Sequence, residues 1–309
     1  MTNFRNSSVV INDEVANTLE KGGNVVALET TIVVQGLPAP VNLEVAGECE
    51  EAVREAGSIP ATIGVLDGRV IVGLSATQLR TLADPDRHAT KLSARDLGLA
   101  LASHGDGATT VAGTISIASR VGIKVMATGG LGGVHRDANV TYDESADLIT
   151  LTHNSVIVVA SGVKSILDIG ATLERLDTLG VAVVGYRTRH FPGFYLRDSG
   201  FSIDWSVESV DEAAAAFLRH REFSITSFIV ANPVAIHHEL DRHLHDEALE
   251  SALTKTHLEG IKGKDVSPAL LTEFARHTAG LSVQVNRDLV VANAALAGAI
   301  AASLARAVA

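Results

Sequence analysis

The chain has 309 residues, 46% of them hydrophobic and 20% charged, with 27 glycines and a formal net charge of -11. This is globular composition, which excludes a disordered or low-complexity chain. The acidic balance, with no long run among the 25 lysines and arginines, excludes a general nucleic-acid binder or a membrane-surface protein, yet allows a small anionic substrate held by a few local lysines.

Cys49 is the only cysteine, within an acidic helical stretch, so no intramolecular disulfide or CxxC metal site can form; a reducing, cytoplasmic location fits. The opening "MTNFRNSSVVINDEV" lacks the basic and apolar regions of a signal peptide. From residue 25, strand-like apolar runs alternate with helical patterns. "VVALETTIV" (25–33) precedes a helical "NLEVAGECEEAVREAG" (42–57), and "PATIGVLDGRVIVGL" (60–74) reads as two strands joined by a hairpin turn at Asp67-Gly68. Further strands are expected at "KVMATGG" (124–130), "SVIVVASGV" (155–163), "VAVVGYRT" (181–188) and "SFIVANPV" (227–234). Between them, "KSILDIGATLERLDTLG" (164–180) carries an apolar stripe at Ile166, Ile169, Leu173 and Leu176, the spacing of a helix lying on a sheet. "HHELDRHLHDEALESALTKTHLEG" (237–260) reads as another helix. The C-terminal "LVVANAALAGAIAASLARAVA" is apolar enough to be weighed as a membrane span, but it is mostly alanine, carries Asn293 and Arg306, and barely reaches the ~20 residues a span needs. A packed helix is expected instead. The rhythm predicts an α/β fold, a three-layer αβα sandwich with a largely parallel, mixed central sheet, and a single domain over 1–309.

In open α/β sheets ligands collect beyond the carboxyl ends of the strands, where Glu29, Gly129, Gly130, Lys164, Arg187 and Asn232 are expected to fall. Lys164 is placed at a strand end and the start of a helix. A partly desolvated lysine favours its neutral amine, which can attack a sugar aldehyde to form a Schiff base; the other reading is a surface lysine at a frayed helix start, where the helix dipole disfavours a cation. Glu29 interrupts an apolar run, so its carboxyl is ion-paired, protonated or a general acid. "GDGATTVAGTISIA" (105–118) sets Thr110 and Val111 at a helix start whose N–H groups could receive a phosphate, or which is capped in the ordinary way. "ATGGLGGVHRDANVTYDESADL" (127–148) matches neither GxGxxG nor a Walker motif. Its carboxylates suit a hard divalent ion that keeps several waters; the competing reading is a plain flexible loop. In "IHHELDRHLHDE", His238 and His243 are five apart, so the rings do not share a helix face and a solvated face is expected rather than zinc. No GxSxG elbow is present.

Taken together, "VALETT", "GLPAPVNLE", "KLSARDL", "GATTVAGT", "ATGGLGGVHR", "DESADL", "SGVKSILDI", "TLGVAVVGYRT" and "IKGKDVSPALL" resemble the pseudouridine-5'-phosphate glycosidase family, also called indigoidine synthase A-like, over about residues 25 to 300. That resemblance implies reversible chemistry on the C–C bond between C1' of ribose 5-phosphate and C5 of uracil, with a divalent metal, usually manganese, and a homotrimeric assembly. It implies Lys164 as the nucleophile, Glu29 as the proton donor, Asp143 as the metal ligand, and Ser145, Ala146 and Asp147 lining the substrate site. Lys91, Thr110 and Val111 would contact the sugar phosphate, so the expected partner is ribose 5-phosphate or its C-nucleotide, with no nucleic acid and no membrane. Where the family reads "ESTxxxHGxPYP", this chain has "ETTIVVQGLPAP": Thr30, Gln35 and Ala39 stand for serine, histidine and tyrosine, and Ala94 for an arginine. Smaller groups at Ala39 and Ala94 motivate an alternative, a C-ribosyl synthase with a bulkier aromatic acceptor. A non-catalytic sugar-phosphate binder on the same fold is the reading from another class.

Overall fold

The central strands are short and apolar because both of their faces are covered. The computed structural model describes residues 8–261 and 266–308; the first seven residues of the stretch read as lacking a signal peptide, and residues 262–265 of "IKGKDVSPALL", lie outside the described residues. The strands are β1 (Val9–Ile11), β2 (Val25–Leu28), β3 (Ile59–Leu66), β4 (Arg69–Val72), β5 (Thr90–Leu92), β6 (Gly107–Thr109), β7 (Val125–Ala127), β8 (Ile157–Ala160), β9 (Ala182–Tyr186), β10 (Ser206–Val207) and β11 (Phe228–Ala231). They form one sheet in the order β1-β4-β3-β2-β7-β8-β11-β9-β10, with β6 paired to β3 and β5 to β6. From β3 through to β10 the path is parallel, and antiparallel pairing enters where β3 meets β4 and β6. As expected, Asp67 (φ 48°) and Gly68 (φ 70°) close the β3–β4 hairpin with two left-handed residues.

Alternation along each strand divides the core. Val25 and Ala27 of β2 join the apolar cluster that contains Ile115 and Ile117 of the helix Val111–Val121. Val26 and Leu28 join the opposite cluster, built on Leu289, Val290 and Ala297 of the helix Leu281–Val308. Helices on both faces of a mixed, mostly parallel sheet make the three-layer sandwich. The helix Leu281–Val308 is long and apolar enough to cross a membrane by length and composition, but it packs on the sheet and on the helix Val41–Glu55. Its polar residue Asn293 is fully buried: Nδ2 donates to the carbonyls of Thr128 (2.8 Å) and Gly129 (3.3 Å), and Oδ1 accepts from Asn232 Nδ2 (2.9 Å). One amide thereby joins the chain just beyond β7 to the chain just beyond β11.

Several boundaries differ from the sequence expectation. The run 25–33 is a strand only to Leu28, and residues Ile32–Gly36 wind into a π-helical turn. The helix expected from Lys164 begins at Ile169, capped by Asp168, whose Oδ1 accepts from Ala171 N (2.9 Å). Lys164 is therefore on a loop. That loop is tied at both ends to the loop after β7, with Lys164 N donating to Leu131 O (3.1 Å) and Asp168 N to Val134 O (3.0 Å), and turns between them, with Leu167 N donating to Lys164 O (2.9 Å). Strands β1, β5, β6 and β10, at two or three residues each, are too short for periodicity to register. The histidine-rich segment is not wholly a solvated face: His245 is 5% exposed and packs on Phe274, while His243 is exposed beside Glu247.

The helices Arg242–Leu258 and Val266–His277 are tied by Glu273, 4% exposed, which accepts from Lys255 Nζ (2.8 Å) and Arg276 Nε (2.9 Å). Hydrogen bonds from Arg276 and Lys255 hold its carboxyl at about 2, against an ordinary 4.5. A depressed carboxyl contributes stability that is complete above the unfolded pKa and lost as pH falls toward the folded one. The melting temperature of the parent is thus expected to drop more steeply between pH 4.5 and 2 than that of Glu273→Gln, as thermal unfolding at stepped pH would show.

Candidate active site

Beyond the carboxyl ends of β2, β7 and β8 lies a cavity of about 370 Å³. All nine site residues expected from the sequence line it: Glu29, Lys91, Thr110, Val111, Asp143, Ser145, Ala146, Asp147 and Lys164, together with Gly129 and Gly130. Arg187 and Asn232 do not. Arg187 donates from Nε to Glu208 O (3.0 Å), and Asn232 is engaged by Asn293.

Glu29 is the first residue past β2 and is 9% exposed. Among the described residues it has no salt bridge, the commonest reason for a buried carboxylate. Instead Thr31 Oγ1 donates to Oε2 and Thr128 Oγ1 to Oε1. Two neutral donors fix the carboxyl without a counter-charge, which leaves it available to exchange a proton with a bound molecule.

The glycine-rich loop after β7 is held in place rather than flexible. A Cβ on Gly132 would come within 2.2 Å of Ser145 Oγ and 2.7 Å of Asp147 Oδ2. That closeness serves Asp147, 5% exposed, whose Oδ2 accepts from Gly132 N (2.8 Å) and whose Oδ1 accepts from Ala112 N (2.9 Å). Both oxygens are bound to backbone amides, so Asp147 joins the glycine loop to the first turn of the helix Val111–Val121. Gly162 is demanded on the other side: its φ is +76° and a Cβ would meet Pro192 O at 2.0 Å. Lys164, two residues on, is half-buried in the cavity wall.

The positive side of the cavity comes from Lys91 and from the start of the helix Val111–Val121. Lys91 is on β5, in parallel register with Ala108 of β6. Thr110 N donates to Leu92 O (2.9 Å), and its Oγ1 caps the helix by accepting from Gly113 N (3.2 Å). An anion bound here would meet an ammonium group and a helix N-terminus together.

The acidic loop separates into distinct tasks. Glu144 is bound by Arg175, and Asp147 by amides. Asp143, with 36% of its side chain exposed, lines the cavity 3.9 Å from His135 Nδ1. A single carboxylate beside an imidazole suits a hard divalent ion that keeps most of its waters; among the described residues no group of three or more His, Cys, Asp or Glu is arranged around one point. His135 is held below its ordinary pKa by burial; Asp143 opposes that shift, and the ammonium groups of Lys91 and Lys164 add to it. The neutral imidazole is the form that could serve as a ligand. Cys49 is inert by comparison, buried, with its thiol pushed up to about 12 by that burial and by Glu48 and Glu50.

Sequence reasoning did not single out His135, although it stands in the quoted "GLGGVHR". It also passed over Asn286, a polar residue in an apolar helix, 7% exposed, which lines the cavity with Oδ1 unpartnered. Phe194 and Leu271 supply apolar wall from distant segments. Of the positions that depart from the family pattern, Gln35 lines the cavity, whereas Ala39 and Ala94 lie outside its lining.

Residues 14–303 match the family model for indigoidine synthase A like protein. The chain is 54% identical over 296 residues to a pseudouridine-5'-phosphate glycosidase of Salinispora tropica, covering 95% of this chain and 91% of that one. Among solved structures, the prealnumycin C-glycosynthase AlnA in complex with ribulose 5-phosphate superposes with a TM-score of 0.89 at 37% identity, each chain covered to 97%. An indigoidine synthase A-like protein of Thermotoga maritima gives a TM-score of 0.89 at 36% identity, with 99% of this chain and 100% of that one covered. A match over nearly the whole length, in sequence and in fold, places the chain in the indigoidine synthase A-like family.

Proposed function

We propose that the protein is an enzyme that makes or breaks a C–C bond between C1' of ribose 5-phosphate and an aglycone, with pseudouridine 5'-phosphate cleaved to uracil and ribose 5-phosphate as its reaction. The observation that carries this reading is the presence of an amine, an uncompensated buried carboxyl and a phosphate-type helix terminus in one cavity, at Lys164, Glu29 and Thr110–Val111. Relatives named as pseudouridine-5'-phosphate glycosidases and a C-glycosynthase with a bound pentulose phosphate support it.

In the synthetic direction, Lys164 Nζ adds to the aldehyde carbon of open-chain ribose 5-phosphate and water leaves, giving an imine. The nucleophilic carbon of the aglycone then forms the new bond to C1', Glu29 takes the proton that this carbon sheds, and the sugar hydroxyl closes the ring onto C1' as the C1'–N bond breaks, its proton passing to the departing Lys164 amine. Cleavage is the reverse, with Glu29 returning the proton to the leaving carbon and water releasing the aldehyde. Lys91 and the first amides of the helix Val111–Val121 hold the phosphate, while Ser145 and Ala146 border the sugar and Asp147 holds the walls around it. Bound at Asp143, a divalent ion such as manganese supplies positive charge and ordered water to the same space. The assembly proposed with this reading is a homotrimer, which light scattering would test.

The test is incubation of the protein and manganese with pseudouridine 5'-phosphate, following uracil and ribose 5-phosphate by chromatography. Release of both is expected. A second reading, coupling of ribose 5-phosphate to a non-uracil aromatic acceptor, draws on the C-glycosynthase neighbour and on Gln35 in the cavity wall. It would be favoured by failure to cleave alongside formation of a borohydride-stable adduct with ribose 5-phosphate.

A further inference from the structure

Next to Glu29 is Thr30, completely buried and not itself among the residues that line the cavity. It occupies a fork in the sheet. Strand β3 pairs with β2 up to Thr62 and with β6 at Gly64 and Val65, while β4 covers its other edge. Strand β6 therefore takes over the edge that β2 leaves at Leu28, and Thr30 stands at the handover.

The hydrogen bonds there are made by side chains. Thr30 Oγ1 accepts from Thr109 N (2.9 Å) and donates to Ile63 O (2.8 Å), while Thr30 N donates to Thr109 O (3.3 Å). Thr109 Oγ1, also fully buried, donates to Ile63 O (2.8 Å) and is 2.9 Å from Thr114 Oγ1. The network is satisfied throughout. One of its ends is the residue after Glu29, and the other is the residue before Thr110, where the helix Val111–Val121 opens toward the cavity.

We propose that Thr30 and Thr109 are positioning residues that set the span between the proton-transferring Glu29 and the phosphate-binding turn at Thr110–Val111. The inference rests on the sugar-phosphate reading above. In ribose 5-phosphate the reacting carbon and the phosphate are at opposite ends of the sugar, so anchoring the phosphate places C1' against Glu29 only if the span is fixed. A misplacement of about 1 Å can cost ~10²-fold in rate. A threonine hydroxyl that both donates and accepts provides this link, and an isosteric valine does not.

The experiment compares Thr30→Val, Thr30→Ser, Thr109→Val and the Thr30→Val/Thr109→Val double variant for kcat, KM and borohydride trapping of ribose 5-phosphate, with the parent and Lys164→Ala alongside. Thr30→Val is expected to lose ~10- to 100-fold in kcat with KM and trapping near parental values, because the amine and the phosphate site are each intact. Thr30→Ser should recover most of the loss. The double variant should lose less than the product of the two single losses, since both hydroxyls donate to the same Ile63 carbonyl. Parental kcat in Thr30→Val, or losses that multiply in the double variant, would overturn the proposal. Should Thr30→Val not fold, Thr109→Val tests the same junction by removing the other hydroxyl that donates to Ile63 O. A parent with neither turnover nor a trappable adduct would instead sink the sugar-phosphate reading itself.

Discussion

Lys164→Ala is expected to abolish turnover, a loss on the order of 10⁴-fold or more, the scale on which removal of a covalent nucleophile is felt. It should also remove the borohydride-trappable adduct with ribose 5-phosphate. The loss should be chemical rather than structural. Lys164 is bound into the fold through its main chain, with its N–H on Leu131 O (3.1 Å) and its C=O accepting from Leu167 N (2.9 Å), and alanine keeps both. Lys164→Arg separates charge from nucleophilicity, since guanidinium keeps the cation but stays protonated. Thermal unfolding within a few degrees of the parent, together with absent trapping by mass spectrometry, is the expected pair of results. Undiminished turnover in either variant would remove the imine from the mechanism.

Glu29→Gln is expected to lower kcat by ~10² to 10⁴, the range over which a positioned acid–base group contributes, while leaving the adduct on Lys164 trappable. The two readouts separate because the imine requires the amine, whereas the aglycone step requires a group that can give and take a proton. Glutamine fits the site. The hydroxyls of Thr31 and Thr128 that donate to the carboxylate can keep one donation to the amide oxygen, and the other hydroxyl can rotate to accept from the new NH₂. Normal melting with slow turnover and intact trapping would assign Glu29 to proton transfer. Loss of trapping would instead place Glu29 in imine formation.

The alternating strand and helix patterns, the hairpin at Asp67-Gly68 and the packed C-terminal helix were all legible in the sequence, because periodicity and turn chemistry are local properties. The candidate site was legible for a different reason. Lys164, Glu29, Asp143 and Asp147 are polar residues that apolar runs and glycine loops do not require, and the ordered motifs around them carry the family resemblance. The rule that ligands gather at the carboxyl ends of strands put Glu29 and Lys164 in the one cavity, but it also pointed to Arg187 and Asn232, which do not line it, while Asp143 and Asp147 came from the resemblance.

What each group does there was decided by tertiary contacts between distant segments. Asp147 and Glu144 look like equal candidates for a metal in "DESADL", but folding brings Ala112 N and Gly132 N to one and Arg175 to the other, which leaves Asp143 facing the cavity. Glu29 reads as a carboxylate in need of a cation, yet the chain supplies Thr128, 99 residues away. Asn293 reads as an interruption of an apolar helix, and only the stacked sheet shows that it bonds the chain beyond three strands. A sequence fixes which side chains are costly to bury, because that cost is intrinsic to each group; which partner offsets it depends on chain segments tens to hundreds of residues apart, and only the packed structure brings those together.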